Sequence, residues 1–259
     1  MPSLRRRAAL ALLLLAPPLA PCAAADAPVI AAAADLTFAL AEIAAKFEAE
    51  GHGRVRLSMG SSGNIARQIE QGAPYQMFLS ADEGFVFRLA ERGLTRGRGD
   101  LYAIGRIVIF IPPHSDLRPD GTLADLRAAI EGNRLRRFAI ANPEHAPYGV
   151  AAMQALRSRG LWDGIQRSLV LGENVSQAAQ FATTGNSQGG IIAYSLALAP
   201  AMQPLGRFAL IPEAWHEPLR QRMVLLRNAG PAAERFYAYM QEKPARETMV
   251  RYGFVLPGE

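Results

Sequence analysis

Cysteine is nearly missing from this chain: Cys22 is the only one in 259 residues. One thiol near the start permits no internal disulfide and no cysteine-ligated metal. Histidine is scarce as well. His52, His114, His145 and His216 are scattered through polar or proline-rich loops, and no His-x-x-x-His spacing offers a metal pair. No Gly-x-Ser-x-Gly elbow frames Ser62, and Gly60-x-x-Gly63 lacks the Lys-Ser/Thr tail of a phosphate loop. Past residue 25 no apolar run approaches the ~20 residues of a membrane-spanning helix. Repeats, low-complexity segments and Asn-Gly hairpin turns are missing too.

What is present begins with an export address. Arg5-Arg6-Arg7 precedes the apolar stretch Ala8–Ala16, then Pro17-Pro18 and small residues through Ala25. This pattern predicts a secretory signal peptide over 1–25, cut after Ala25, and an exported protein. The alternative is a lipoprotein box at Leu19-Ala20-Pro21-Cys22 with Cys22 acylated, although Pro21 is unfavourable for that processing. After a cut at 25 the remaining chain has no cysteine, so a hydrophobic core must stabilise it, and its length suffices for two lobes. The chain carries 28 basic and 23 acidic residues, net +5; without the three leading arginines the excess falls to +2. That balance argues for no nucleic-acid or membrane-surface partner.

Strand-then-helix order recurs along the rest, which predicts an α/β protein with mixed, mostly parallel sheets flanked by helices. Apolar strands are read at Val29–Ala33, Met77–Leu79, Arg106–Ile111, Phe138–Ala141, Leu169–Leu171, Gly189–Tyr194 and Met223–Leu226. Val55–Met59 alternates with period two, and Ile65, Ala66 and Ile69 then recur at helical spacing. Phe85, Phe87, Phe110, Phe138, Phe236 and Tyr239 read as core. Four strand-to-helix junctions share one style, with small or polar residues and no lysine or arginine at the tip. They are Ala34-Asp35-Leu36-Thr37, Gly60-Ser61-Ser62-Gly63, Ala146-Pro147-Tyr148-Gly149 and Glu173-Asn174-Val175-Ser176.

A helix N-terminus after a strand offers free backbone N–H groups and the positive end of the dipole, which suits an anion. The plain alternative is that Ser61 or Ser62 caps its own helix. If the four junctions converge, several N–H donors, the Ser62 hydroxyl and the Tyr194 phenol would surround one tetrahedral oxyanion. Tyr148 interrupts a Pro-Gly turn at a helix start and reads as a lid over that site.

The same segments carry a resemblance. Ala32–Thr37, Ser61-Ser62 leading into Ala66-Arg67-Gln68-Ile69-Glu70 and Gly72-Ala73-Pro74, and Leu79-Ser80-Ala81-Asp82 appear in order. Asn142-Pro143-Glu144-His145-Ala146-Pro147-Tyr148-Gly149, Gly189–Tyr194 and Arg251-Tyr252-Gly253-Phe254 follow. Together they resemble the periplasmic molybdate-binding proteins of ATP-driven importers, over essentially the whole exported chain. The resemblance implies a two-lobed periplasmic-binding-protein fold with the ligand in the interlobe cleft. Lobe 1 would comprise 26–104 plus 207–259, and lobe 2 would comprise 105–206. It implies a monomeric, non-enzymatic solute-binding protein with no cofactor and a membrane permease as partner. Molybdenum would be held only as the molybdate oxyanion, or tungsten as tungstate. Position by position, the ligand groups it implies fall on Asp35, Ser62, Tyr148, Val175 and Tyr194, with Tyr148 and Val175 acting through backbone N–H.

Asp35 departs from the family pattern, which has a hydroxyl there. A carboxylate about 4 Å from one negative charge costs on the order of 4 kcal/mol at an effective dielectric near 20. Three accounts stay open: Asp35 turned away to cap its helix, Asp35 accepting a hydrogen bond from a protonated, phosphate-like ligand, or the carboxylate coordinating the metal centre. A rival from another class is a secreted hydrolase built on Ser62, His145 and Asp82, against which His145 reads as a loop-fixing hydrogen-bond donor. Glu42, Glu48 and Glu70 are candidate permease-docking residues, and also look like an ordinary solvated helix face.

Overall fold

The computed structural model describes residues 27–185 and 187–258, so the expected signal, its cleavage point and Cys22 lie outside the described residues. Strands β1 (Val29–Ala33), β2 (Arg56–Gly60), β3 (Met77–Ser80) and β4 (Asp100–Gly105) alternate with helices α1 (Thr37–Ala49), α2 (Ser62–Glu70) and α3 (Glu83–Glu91). The middle of the chain forms β5 (Ile107–Ile111), α4 (Ala124–Glu131), β6 (Phe138–Ala141), α5 (Pro147–Ser158) and α6 (Trp162–Ile165). Next come β7 (Leu169–Gly172), α7 (Val175–Thr183), β8 (Gly190–Ala193), α8 (Tyr194–Ala197) and β9 (Arg207–Leu210). β10 (Leu219–Leu225), α9 (Pro231–Tyr239) and α10 (Lys243–Arg251) close the chain.

The strands make two five-stranded mixed sheets, ordered β2-β1-β3-β10-β4 and β7-β6-β8-β5-β9. The two orders follow one plan. Three strands run parallel, a fourth runs antiparallel to them, and the edge strand, antiparallel to that fourth, runs with the first three. Only Arg106 separates β4 in the first sheet from β5 in the second, and the chain returns through 211–218. Sequence reading placed that return at 207. Instead β9 pairs antiparallel with β5, Val108 opposite Leu210, so residues 207–210 belong to the second sheet.

Helices cover both faces of the first sheet, so its strands are apolar on both sides. Ile30, Ala32, Met77, Leu79 and Met223 face the larger core, which also takes in the second sheet. Their pleat neighbours Ala31, Phe78 and Val224 face a smaller cluster with Ile65, Ala66 and Ile69 of α2. Phe110, Phe138, Phe236 and Tyr239 are fully buried as expected. Phe85 and Phe87 are only half-buried, beneath the guanidinium groups of Arg88 and of Arg98 and Arg222.

Candidate functional site

The four junctions converge on one small cavity of about 10 Å³ between the sheets. Its wall comprises Ala33–Asp35, Gly60–Ser62, Ala81, Ala146–Tyr148, Asn174 and Val175, with no lysine or arginine. Asp35, Ser62, Tyr148 and Val175 therefore meet there. Tyr194 does not: it opens α8 with its ring edge-on to Phe208, 5.7 Å between centroids, and is not part of the wall. A Cβ on Gly253 would lie 2.5 Å from the Tyr194 ring, so the ring is packed into the closing segment of the chain.

Three walls are helix starts. α2 begins at Ser62 after the extended Ser61, which makes no side-chain cap. Pro147 occupies the first turn of α5, where its fixed φ and missing N–H are tolerated. α7 follows Asn174, whose Oδ1 accepts from the Gln177 N–H at 3.0 Å. The N–H groups of Ser62, Tyr148 and Val175 lie in first turns and have no acceptor within their own helices. Each also sits at the positive end of its helix dipole.

The two serines do not act as caps. Ser61 Oγ lies 3.0 Å from His145 Nδ1, and the Gly63 N–H donates to the His145 carbonyl at 3.0 Å. Ser62 Oγ accepts from the Ala81 N–H at 2.9 Å, which leaves its one proton available for donation. A Cβ on Gly63 would lie 2.7 Å from the His145 carbonyl oxygen, so this contact between α2 and the 142–146 loop requires glycine. The proposed catalytic triad is not assembled. His145 bonds Ser61 rather than Ser62, with Nε2 3.4 Å from Glu173, and Asp82 caps α3 through the Gly84 N–H at 2.8 Å. His145 is a loop-fixing residue.

Asp35 is 1 % exposed and makes no helix cap, so the account in which it turns away to cap does not hold. Its Oδ2 accepts from Gln221 Nε2 at 2.7 Å and from the Tyr148 hydroxyl at 3.0 Å. Gln221 Nε2 also lies 3.0 Å from Tyr148 Oη, and the Tyr102 hydroxyl donates to Gln221 Oε1 at 2.6 Å. Asp35 Oδ1 is buried with no partner. Burial pushes the carboxyl up to about 7, against the pull of Gln221, Tyr148 and its own backbone N–H. Tyr148 and Tyr102 are held well above the ordinary phenol range, first by burial and then by the nearby Asp35 charge. Tyr148 is thus no lid; its side chain is buried and turned inward onto Asp35.

Gln221 and Tyr102 were not anticipated. The signal for Gln221 was a polar residue among the inward positions of β10, between Leu219 and Met223, at a bulge in the pairing with β4. Gly105, at the crossing, is equally constrained: a Cβ there would lie 2.2 Å from Tyr148 Oη. Further bonds tie the sheets across the cleft. Thr37 Oγ1 lies 3.0 Å from Ser176 Oγ, Ser176 Oγ donates to the Ala34 carbonyl at 2.7 Å, and Ser195 Oγ donates to the Asp35 carbonyl at 2.8 Å. This is a closed cleft. Among the described residues no cluster of three or more His, Cys, Asp or Glu could hold a metal ion.

A family model for bacterial extracellular solute-binding proteins matches residues 28–255. The chain belongs to that family. A molybdate-binding protein ModA of Azotobacter vinelandii is 35% identical over 239 residues, spanning 91% of this chain and 92% of its own. Its namesake in Rhodobacter capsulatus is 34% identical over 237 residues, spanning 90% of each. The solved Azotobacter vinelandii periplasmic molybdate-binding protein superposes with a TM-score of 0.79 at 30% identity, covering 89% of this chain and 99% of that one. In this solute-binding family member the two mixed sheets and the cleft between them are the binding-protein architecture expected from sequence.

Proposed function

We propose that this protein is the substrate-binding component of an ABC importer and captures molybdate, with tungstate as its near-equal in shape and charge. One observation carries the reading: three helix N-termini, α2, α5 and α7, meet on a cavity whose wall holds hydroxyl and N–H donors but no cation. Such a wall suits an oxyanion held by dipoles and hydrogen bonds. Charge-assisted bonds are roughly twice as strong as neutral ones, so about half a dozen support sub-micromolar capture. The names of its relatives supply the choice of anion.

The protein is a binding protein and not an enzyme. Its lobes are the two sheets with their helices, hinged where Arg106 and residues 211–218 cross. Closure around the anion is what the membrane permease would read, a population shift between open and closed forms. It acts in the periplasm as a monomer, released there by cleavage of its signal. Glu42, Glu48 and Glu70 are weaker docking candidates than sequence suggested, because Arg251 and Lys46, Arg54, and Arg88 and Arg92 respectively already pair with them. Calorimetric titration of the exported chain at pH 6 with molybdate, tungstate, sulfate, phosphate and chromate tests the reading. Molybdate and tungstate should bind and sulfate should bind far more weakly. Silence toward molybdate with binding of phosphate would overturn it.

A further inference from the structure

The buried pattern around Asp35 has a direction. Both groups at Oδ2 are donors: Gln221 Nε2 carries hydrogens only, and its orientation is fixed by the Tyr102 hydroxyl on Oε1. The Tyr148 hydroxyl supplies the second. A proton on this carboxyl therefore belongs on Oδ1, the oxygen that has no partner in the protein although it is fully buried. Asp35 lines the oxyanion cavity. An ionised carboxylate there would repel the anion, whereas an acid O–H lacking an acceptor would be left unsatisfied. An oxyanion oxygen resolves both at once.

Resting on the oxyanion reading above, we propose that Asp35 is a proton-coupled specificity residue: it enters the bound state as a neutral acid whose Oδ1–H donates a hydrogen bond to an oxygen of the captured anion. Each capture with the carboxylate ionised beforehand takes up one proton from solvent onto Oδ1. The surroundings support the neutral form. From α5 and β4 the facing titratable groups are the phenols of Tyr148 and Tyr102; from β10 and α8 the facing groups are the uncharged Gln221 and Ser195. The imidazole of the cleft, His145, is engaged with Ser61 and Glu173. No cation is among the groups that shape the carboxyl, which already titrates near pH 7 before an anion arrives. The arrangement differs from both earlier accounts of an engaged Asp35, since the carboxyl gives a proton to the ligand oxygen instead of receiving one or touching the metal.

The test is calorimetry of molybdate binding to the exported chain from pH 6 to pH 9, in buffers of different ionisation enthalpy. Above about pH 7 the wild-type Kd should rise toward tenfold per pH unit, with proton uptake approaching one per anion. Asp35→Asn, which places a permanent N–H where the acid proton sat, should lose both effects and bind more tightly than wild type at pH 9. Tyr148→Phe removes a donor from Oδ2 and should move the onset of the rise to higher pH, a shift that a merely structural tyrosine would not cause. His145→Gln should retain the rise. A flat wild-type profile, a profile that persists in Asp35→Asn, or one lost in His145→Gln would overturn the proposal. Absence of molybdate binding at pH 6 would instead defeat the function on which it rests.

Discussion

The two halves of the cleft are built on the same strand plan yet work with different chemistry. The first-sheet half presents side chains: Asp35 beyond β1 and Ser61 and Ser62 beyond β2, with Ala33 and Gly60 in register at the ends of those strands. The second-sheet half lines the cavity with Ala146, Pro147, Tyr148, Asn174 and Val175 at the starts of α5 and α7, where first-turn N–H groups have no acceptor within the helix. The difference assigns tasks. Backbone donors fix where an anion sits, because helix position alone determines them. Side chains decide which anion and which protonation state are accepted, because substitution can change them without disturbing the fold.

The carboxyl in the first half gives the sharpest way to break this division. Asp35 titrates near 7 in the folded protein against 3.8 for an ordinary aspartate. The sign follows from its raised value. Its contribution to stability is complete below about pH 4 and is lost as pH rises to about 7, since over that range the unfolded chain gains by ionising while the folded chain keeps its proton. Asp35→Asn should therefore gain stability over wild type as pH rises, by up to about 4 kcal/mol at pH 8 and close to nothing at pH 4. Denaturant unfolding at the two pH values measures it. An equal difference at both would mean that the carboxyl is not held neutral by its surroundings.

Ser62 comes next in size. On the proposed reading Ser62→Ala removes a hydroxyl donor to the anion, which should cost about 1.5–3 kcal/mol or roughly 10- to 100-fold in Kd. It also orphans the buried Ala81 N–H, at a further ~1–3 kcal/mol of folding stability. A titration combined with a melt separates the two losses. A variant that loses stability alone would assign Ser62 to the scaffold and leave the first half with only Asp35 as a selective side chain.

How much of this could be read from sequence follows the same division. The Ser62 junction was legible because the apolar period changes from strand to helix across four small polar residues. The starts of α5 and α7 were legible because Pro147 and Asn174 mark them, whereas backbone roles for Tyr148 and Val175 came only from the resemblance. Tyr194 was misplaced because a phenol at a strand end can face either way, and packing against Phe208 and Gly253 decided it. The Tyr102–Gln221–Asp35 chain was not legible, since Gln221 and Asp35 are 186 residues apart and meet only through the antiparallel insertion of β10 beside β3 and β4. The return crossing was missed for a related reason. β9 is four residues long, and its own pattern does not say which sheet will pair with it.

The smallest effect in the backbone half also discriminates best, because it comes as a pair. Val175 is the first residue of α7, and Asn174 before it is extended, with φ −151° and ψ 174°. That is the conformation a residue preceding proline prefers, and proline is tolerated at the first helical position. Val175→Pro therefore keeps the helix start and deletes one N–H, so Kd should weaken by about 1.5–3 kcal/mol if that donor reaches the anion. Val175→Ala keeps the N–H and trims only the buried side chain, so it should lower stability while changing Kd by less than about threefold. Equal affinity in the two variants would show that the second half does not hold the anion through this helix start. The contrast between the halves would then rest on α5 alone.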